Sequence, residues 1–156
     1  MAGGENMHDS MKKSIELLSK LENEELEVEL GRRLAETRKQ LQQGFSLTAS
    51  DFYGPALDQA ALQGPMDFLR DVARGFLTRF NEQMYALVCE SRDPDNKKIM
   101  DALAAGTETL GYVLSGVFVA TFGWLPGVAS VIAVLVAKRF ASASHQAVCD
   151  AWKKQL

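Results

Sequence analysis

TLGYVLSGVFVATFGWLPGVASVIAVLVA, residues 109–137, is a run of 29 residues without a charged side chain. Near its centre stands Gly123-Trp124-Leu125-Pro126-Gly127, with two glycines and a proline in five residues. Proline cannot donate an amide hydrogen bond inside a helix, and glycine readily takes the conformation that ends one. The pentapeptide therefore predicts a reversal between two helices. The first arm is expected to run from Pro94 to about Gly123 or Trp124, and the second from Gly127 toward the C-terminus. The run thus reads as an apolar helical hairpin that must be buried in a membrane, a subunit interface or a dry core.

Length bears on the burying medium. Each charge-free arm has about 14 residues, or roughly 21 Å at the helical rise. That falls short of the ~30 Å hydrocarbon core of a bilayer, whereas a single kinked helix over the whole run would reach about 40 Å. Small residues recur at four-residue spacing: Ala129, Ala133, Ala137 and Ala141 on the second arm, Gly111 with Ser115 and Gly116 with Ala120 on the first. Such ridges let helix backbones approach closely. Together with Trp124 and Pro126 they are the candidate membrane or oligomer interface. Val131, Ile132, Leu135 and Val136 lie off the ridge and are expected to face lipid or a second partner.

Charges frame the hairpin. Glu108 stands in an otherwise apolar stretch and is the candidate functional acid, since burial there would shift its protonation. Lys138 and Arg139 follow the run as a candidate basic anchor. With Lys153 and Lys154 they favour the cytoplasmic side or an anionic leaflet, with Trp152 as an interfacial anchor.

Outward from the hairpin, residues 1–9 read as a flexible tail and residues 10–91 as an amphipathic helical region. The apolar hairpin with its basic helix end occupies 92–156. Met11, Ile15, Leu18 and Leu21, then Leu26, Leu30, Leu34 and Leu41, form helical stripes that Asn23 can bend or restart and Gly44 can end. Acidic residues precede basic ones, which suits the helix dipole and permits pairs such as Glu29 with Arg33. A short helix is expected over Pro55–Gln63. A longer one from Pro65 to near Ser91 presents Leu69, Ala73, Phe76, Phe80, Met84 and Leu87 on one face. Asp93-Pro94 reads as an N-cap and first helical residue. No strand-like alternation of useful length occurs, so the class is all-α: a helical bundle with amphipathic N-terminal helices and the C-terminal hairpin.

The 156 residues suit one domain, and 47% apolar with 24% charged content places the chain among folded proteins. A net charge of -3 and scattered basic residues exclude a general attraction to nucleic acid. Met1–Ser10 has no apolar core, so no signal peptide is read there. Cys89 and Cys149 lie in apolar helical contexts, where a free, buried Cys is the common case; a disulfide between them is the alternative, and two residues cannot establish it. His145 and Cys149 are four apart on one helix face, but two ligands make no metal site, and no nearby acid or cysteine is expected to complete one. No nucleophile elbow or phosphate loop occurs. No cofactor, metal or enzymatic activity is expected.

The pattern is similar, in architecture alone, to the buried hydrophobic hairpin of pore-forming colicin-type domains; no motif is shared. Two functions follow as expectations. One is a membrane-associated effector on the cytoplasmic side that self-assembles, embeds its hairpin and alters permeability. The other is a soluble cytoplasmic adaptor or homo-oligomerisation module with the hairpin as its interface to a protein partner.

Overall fold

Leu26, Leu30, Leu34, Val72, Phe76, Leu110, Leu114 and Phe118 recur at helical spacing and are all buried, which sets the character of the fold. The computed structural model describes residues 7–44, 65–90 and 94–156, and side chains over 11–37, 67–90 and 94–156. Among them all regular structure is helical. The expected short helix at Pro55–Gln63 and the tail over residues 1–6 lie outside the described residues.

The helices are α1 (Met7–Leu18), α2 (Asn23–Gly44), α3 (Pro65–Arg79), α4 (Asn81–Cys89), α5 (Asn96–Ala105), α6 (Thr107–Phe122), α7 (Pro126–Arg139) and α8 (His145–Gln155). Two compact units contain them. One comprises residues up to Leu21 together with Asn81–Leu156, the other Glu22–Phe80. These units follow contacts, whereas the division expected at 91/92 follows apolar content.

In the Glu22–Phe80 unit, α2 begins where Asn23 was expected to bend or restart the chain. The Glu22 amide donates to the Glu25 carboxylate at 3.0 Å, which satisfies one of the orphan donors at a helix start. The expected Arg33–Glu29 pair forms at 2.7 Å, and Arg32 joins it. Burial alone would raise the Glu29 carboxyl, but hydrogen bonds from Arg32 and Arg33 outweigh it and hold the group below its ordinary value. α3 packs on α2. Glu27 ties them by pairing with Arg70 at 3.3 Å and Arg74 at 3.4 Å.

In the other unit, α6 packs extensively on α7, α1 lies against both, α5 packs on α6, and α4 contacts α5 and α8. The Gly-Trp-Leu-Pro-Gly segment separates α6 from α7. Gly123 has φ +70° and donates its amide to the Val119 carbonyl, which terminates α6. Leu125 is extended and Pro126 opens α7, where a missing amide donor costs little.

Four expected helix bounds are corrected. α1 already includes residues 7–9, which were expected to belong to the tail. The 65–91 helix is interrupted at Phe80, where the chain passes from one unit to the other. The first hairpin arm begins at Asn96, with Pro94 in a turn, and breaks at Gly106, whose φ of +128° a side chain would strain. The second arm ends at Arg139. A new helix starts after Ser144, whose hydroxyl accepts from the Ala147 amide at 3.1 Å.

Candidate functional site

The candidate interface residues separate by burial. On α7, Ala129, Ala133 and Ala137 are buried, and so are Val131, Ile132 and Val136. Nine of the 14 residues of α7 are buried, so most of its large side chains face protein. Leu135 is half-buried beside them. Ala141 is exposed beyond the end of α7 and is not part of the ridge.

On α6, Gly111 and Ser115 face α1. A β-carbon on Gly111 would lie 3.2 Å from Ile15 Cγ2, tighter than ordinary contact, so this glycine lets α1 close in; Val134 Cγ2 on α7, at 3.9 Å, would be in ordinary contact. Ser115 is fully buried, and its hydroxyl donates to Met11 Sδ at 3.2 Å. A buried hydroxyl without an acceptor would be costly, so even a weak thioether acceptor matters. Gly116 and Ala120 face the other way and are exposed. They line a groove of about 500 Å³ with Met11, Tyr112, Val113 and Val117, rimmed by Asp95 and Lys98. The Lys12 ammonium sits over the Tyr112 ring at 5.4 Å, within cation–π range.

Trp124 is buried inside the turn, stacked on Phe122 at 4.6 Å and edge-on to Phe118 at 5.4 Å. Pro126 is half-buried, and the neighbouring Leu125 is 49% exposed. Glu108 is exposed in the first turn of α6, because the break at Gly106 turns an expected mid-helix acid into one beside a positive helix end. Lys138 is half-buried and donates to the carbonyls of Ser19, at 3.4 Å, and Leu21 just beyond α1. Arg139 lies over the Trp152 ring at 4.7 Å. Trp152, expected as an interfacial anchor, is buried and donates its indole N–H to Asn81 Oδ1 at 2.7 Å. Its enclosure by Asn81 and Tyr85 of α4 and by Arg139 of α7 is a tertiary effect with no local signature.

The cysteines correct a further expectation. Cys89, the last residue of α4, and Cys149, on α8, form a disulfide across 60 positions. His145, one turn before Cys149, brings its Nε2 to 3.0 Å from the Val88 carbonyl and 3.5 Å from Cys149 Sγ. The carbonyl can only accept, so Nε2 carries the proton and donates. Phe140 stacks against the imidazole at 5.7 Å. Cys89 is therefore the third sulfur or nitrogen donor whose absence had argued against a cluster at His145 and Cys149. The i,i+4 spacing was visible in the chain; the approach of α4 was not.

Among the described residues, no helix is long and apolar enough to cross a membrane. No family model, curated protein or solved structure matches this chain.

Proposed function

We propose that this chain is a non-enzymatic helical effector that carries α6 and α7 as a sheathed apolar hairpin and embeds it in a membrane on meeting an anionic bilayer. The observation that carries the reading is α7 itself, apolar and buried around most of its circumference. A helix apolar on all sides belongs in a core or in lipid rather than at a wet surface. The arms of 16 and 14 residues reach roughly 24 and 21 Å, so the hairpin embeds in the bilayer rather than spanning it unaided. Leu125, exposed at the turn between them, is the residue placed to enter first. Lys138 and Arg139 at the far end of α7 supply the basic contact with the cytoplasmic face.

The test is flotation of the full chain with anionic vesicles, beside carbonate extraction of membranes from expressing cells. Native protein is expected to float and to resist carbonate. Leu125→Asp places a charge on an already exposed site, so its helix content should match native while vesicle binding falls at least about tenfold. Native protein that stays entirely in the soluble fraction sinks the reading.

A second reading, a soluble homo-oligomerisation module, is favoured by the groove over Gly116 and Ala120, where a β-carbon on Gly116 would meet open space. It requires one discrete oligomer in detergent-free light scattering, converted to monomer by Ala120→Lys. A native chain that is already monomeric excludes it.

A further inference from the structure

We propose that Cys89, His145 and Cys149, once their disulfide is reduced, form a Cys2His site for a single zinc-class divalent cation. Their donor atoms all lie within 4.8 Å of one another. Two thiolates and an imidazole are the donor set that selects zinc over the hard cations calcium and magnesium. Bond lengths at tetrahedral zinc place an imidazole nitrogen and a thiolate sulfur about 3.6 Å apart. His145 Nε2 and Cys149 Sγ already stand at 3.5 Å. This pair is held in place from both sides. Ser144 caps the first turn of α8, and the Phe140 ring stacks on the imidazole.

Only the Cys89 sulfur must move far. Two thiolates on one zinc lie about 3.8 Å apart. The α-carbons of Cys89 and Cys149 are 5.8 Å apart, so rotation of the Cys89 side chain opens the sulfurs without moving α4 or α8. Charge also favours the site. Cys149 is buried and Cys89 half-buried, and a divalent cation with two thiolates is neutral there. Three protein ligands leave the fourth tetrahedral position to water.

The conversion balances with a dithiol reductant. One of its sulfurs attacks a cysteine sulfur, which breaks the Cys89–Cys149 bond and forms a mixed disulfide. Its second sulfur then displaces that cysteine and leaves as a cyclic disulfide. Two electrons and two protons end on the cysteines. The cation displaces both thiol protons to solvent and takes the Nε2 lone pair of His145, whose proton shifts from Nε2 to Nδ1 and whose hydrogen bond to Val88 is given up. In an oxidising compartment the cluster is a covalent clip, and in a reducing one it is a metal site.

The experiment uses the full chain without a histidine tag, reduced with a dithiol and freed of reductant under anaerobic conditions. Cobalt(II) should give the visible bands of tetrahedral coordination and a thiolate-to-cobalt charge-transfer band, saturating at one ion per chain and abolished by zinc. The oxidised native protein should give no charge-transfer band. His145→Ala leaves both cysteines in place, so its oxidised form checks that α8 still folds. In its reduced form, zinc affinity should fall by more than the about 10- to 100-fold typical of an outer-shell partner. The proposal is overturned if reduced native protein shows no charge-transfer band, if oxidised protein binds equally, or if His145→Ala retains native affinity. Reduced protein that loses its helices and does not regain them with zinc also overturns it.

Discussion

Gly31 on α2 and Leu69 on α3 meet backbone to backbone: a β-carbon built on Gly31 would lie 2.0 Å from the Leu69 carbonyl oxygen. Glycine normally weakens a helix interior by about 1 kcal/mol relative to alanine. Here it permits the crossing of α2 and α3. Gly31→Ala therefore has to push two backbones apart, and should lower stability by about 1–3 kcal/mol or more despite its better helix propensity. Urea denaturation checks this. An unchanged or raised midpoint would show that the two helices do not cross so closely.

Asn96 is a buried polar side chain near the start of α5, and its amide nitrogen donates to the carbonyls of Leu87 at 3.3 Å and Val88 at 3.0 Å. It thereby satisfies acceptors at the C-terminal end of α4, which have no partners within their own helix. Asn96→Leu removes both bonds; Val88 keeps the one from His145 Nε2, whereas the Leu87 carbonyl loses its side-chain donor. A loss of about 1–3 kcal/mol is expected by chemical denaturation. Hydrogen exchange should locate the loosening in α4.

The Cys89–Cys149 disulfide closes 60 positions of chain. Loop-closure entropy assigns such a link about 4 kcal/mol, and measured values typically fall between about 2 and 4. Cys89→Ser in oxidising buffer should lower stability by that amount. Addition of dithiol to the native chain should produce the same loss. If neither changes the denaturation midpoint, the clip contributes nothing to the folded state.

Glu29 predicts an acid-side effect. Its folded-state pKa is depressed below the ordinary 4.5 by hydrogen bonds from Arg32 and Arg33, which outweigh burial. A depressed carboxyl contributes stability above the unfolded value and loses it as pH falls through the lower folded value. Glu29→Gln should therefore cost about 0.5 kcal/mol at pH 7, discounted for the exposed Arg32. The gap between native and variant should close below about pH 4.5. Thermal melts across that range decide it, and a gap independent of pH would remove the carboxylate from the account.

Residues 109–137 settle much by themselves. Absence of charge calls for burial of most of the run, and Gly123 with Pro126 marks where one helix stops and the next begins, because both act through local backbone geometry. The same holds for the stripe Leu26, Leu30 and Leu34, and for the Glu29–Arg33 pair, whose partners lie one turn apart.

Tertiary structure decided everything that depends on distant segments. Nothing around Phe80 marks the break between α3 and α4, since the interruption has neither glycine nor proline. Gly31 sits in a polar helix and shows its purpose only when Leu69 arrives. Whether Ala133 or Ala120 would face protein could not be read from spacing, because both belong to equally small ridges; packing buried one and left the other in a groove. The joining of Cys89 to Cys149 beside His145 required α4 and α8 to come together. Local sequence fixes which bonds the backbone can make within one turn, whereas burial and side-chain chemistry between elements exist only once the chain has closed on itself.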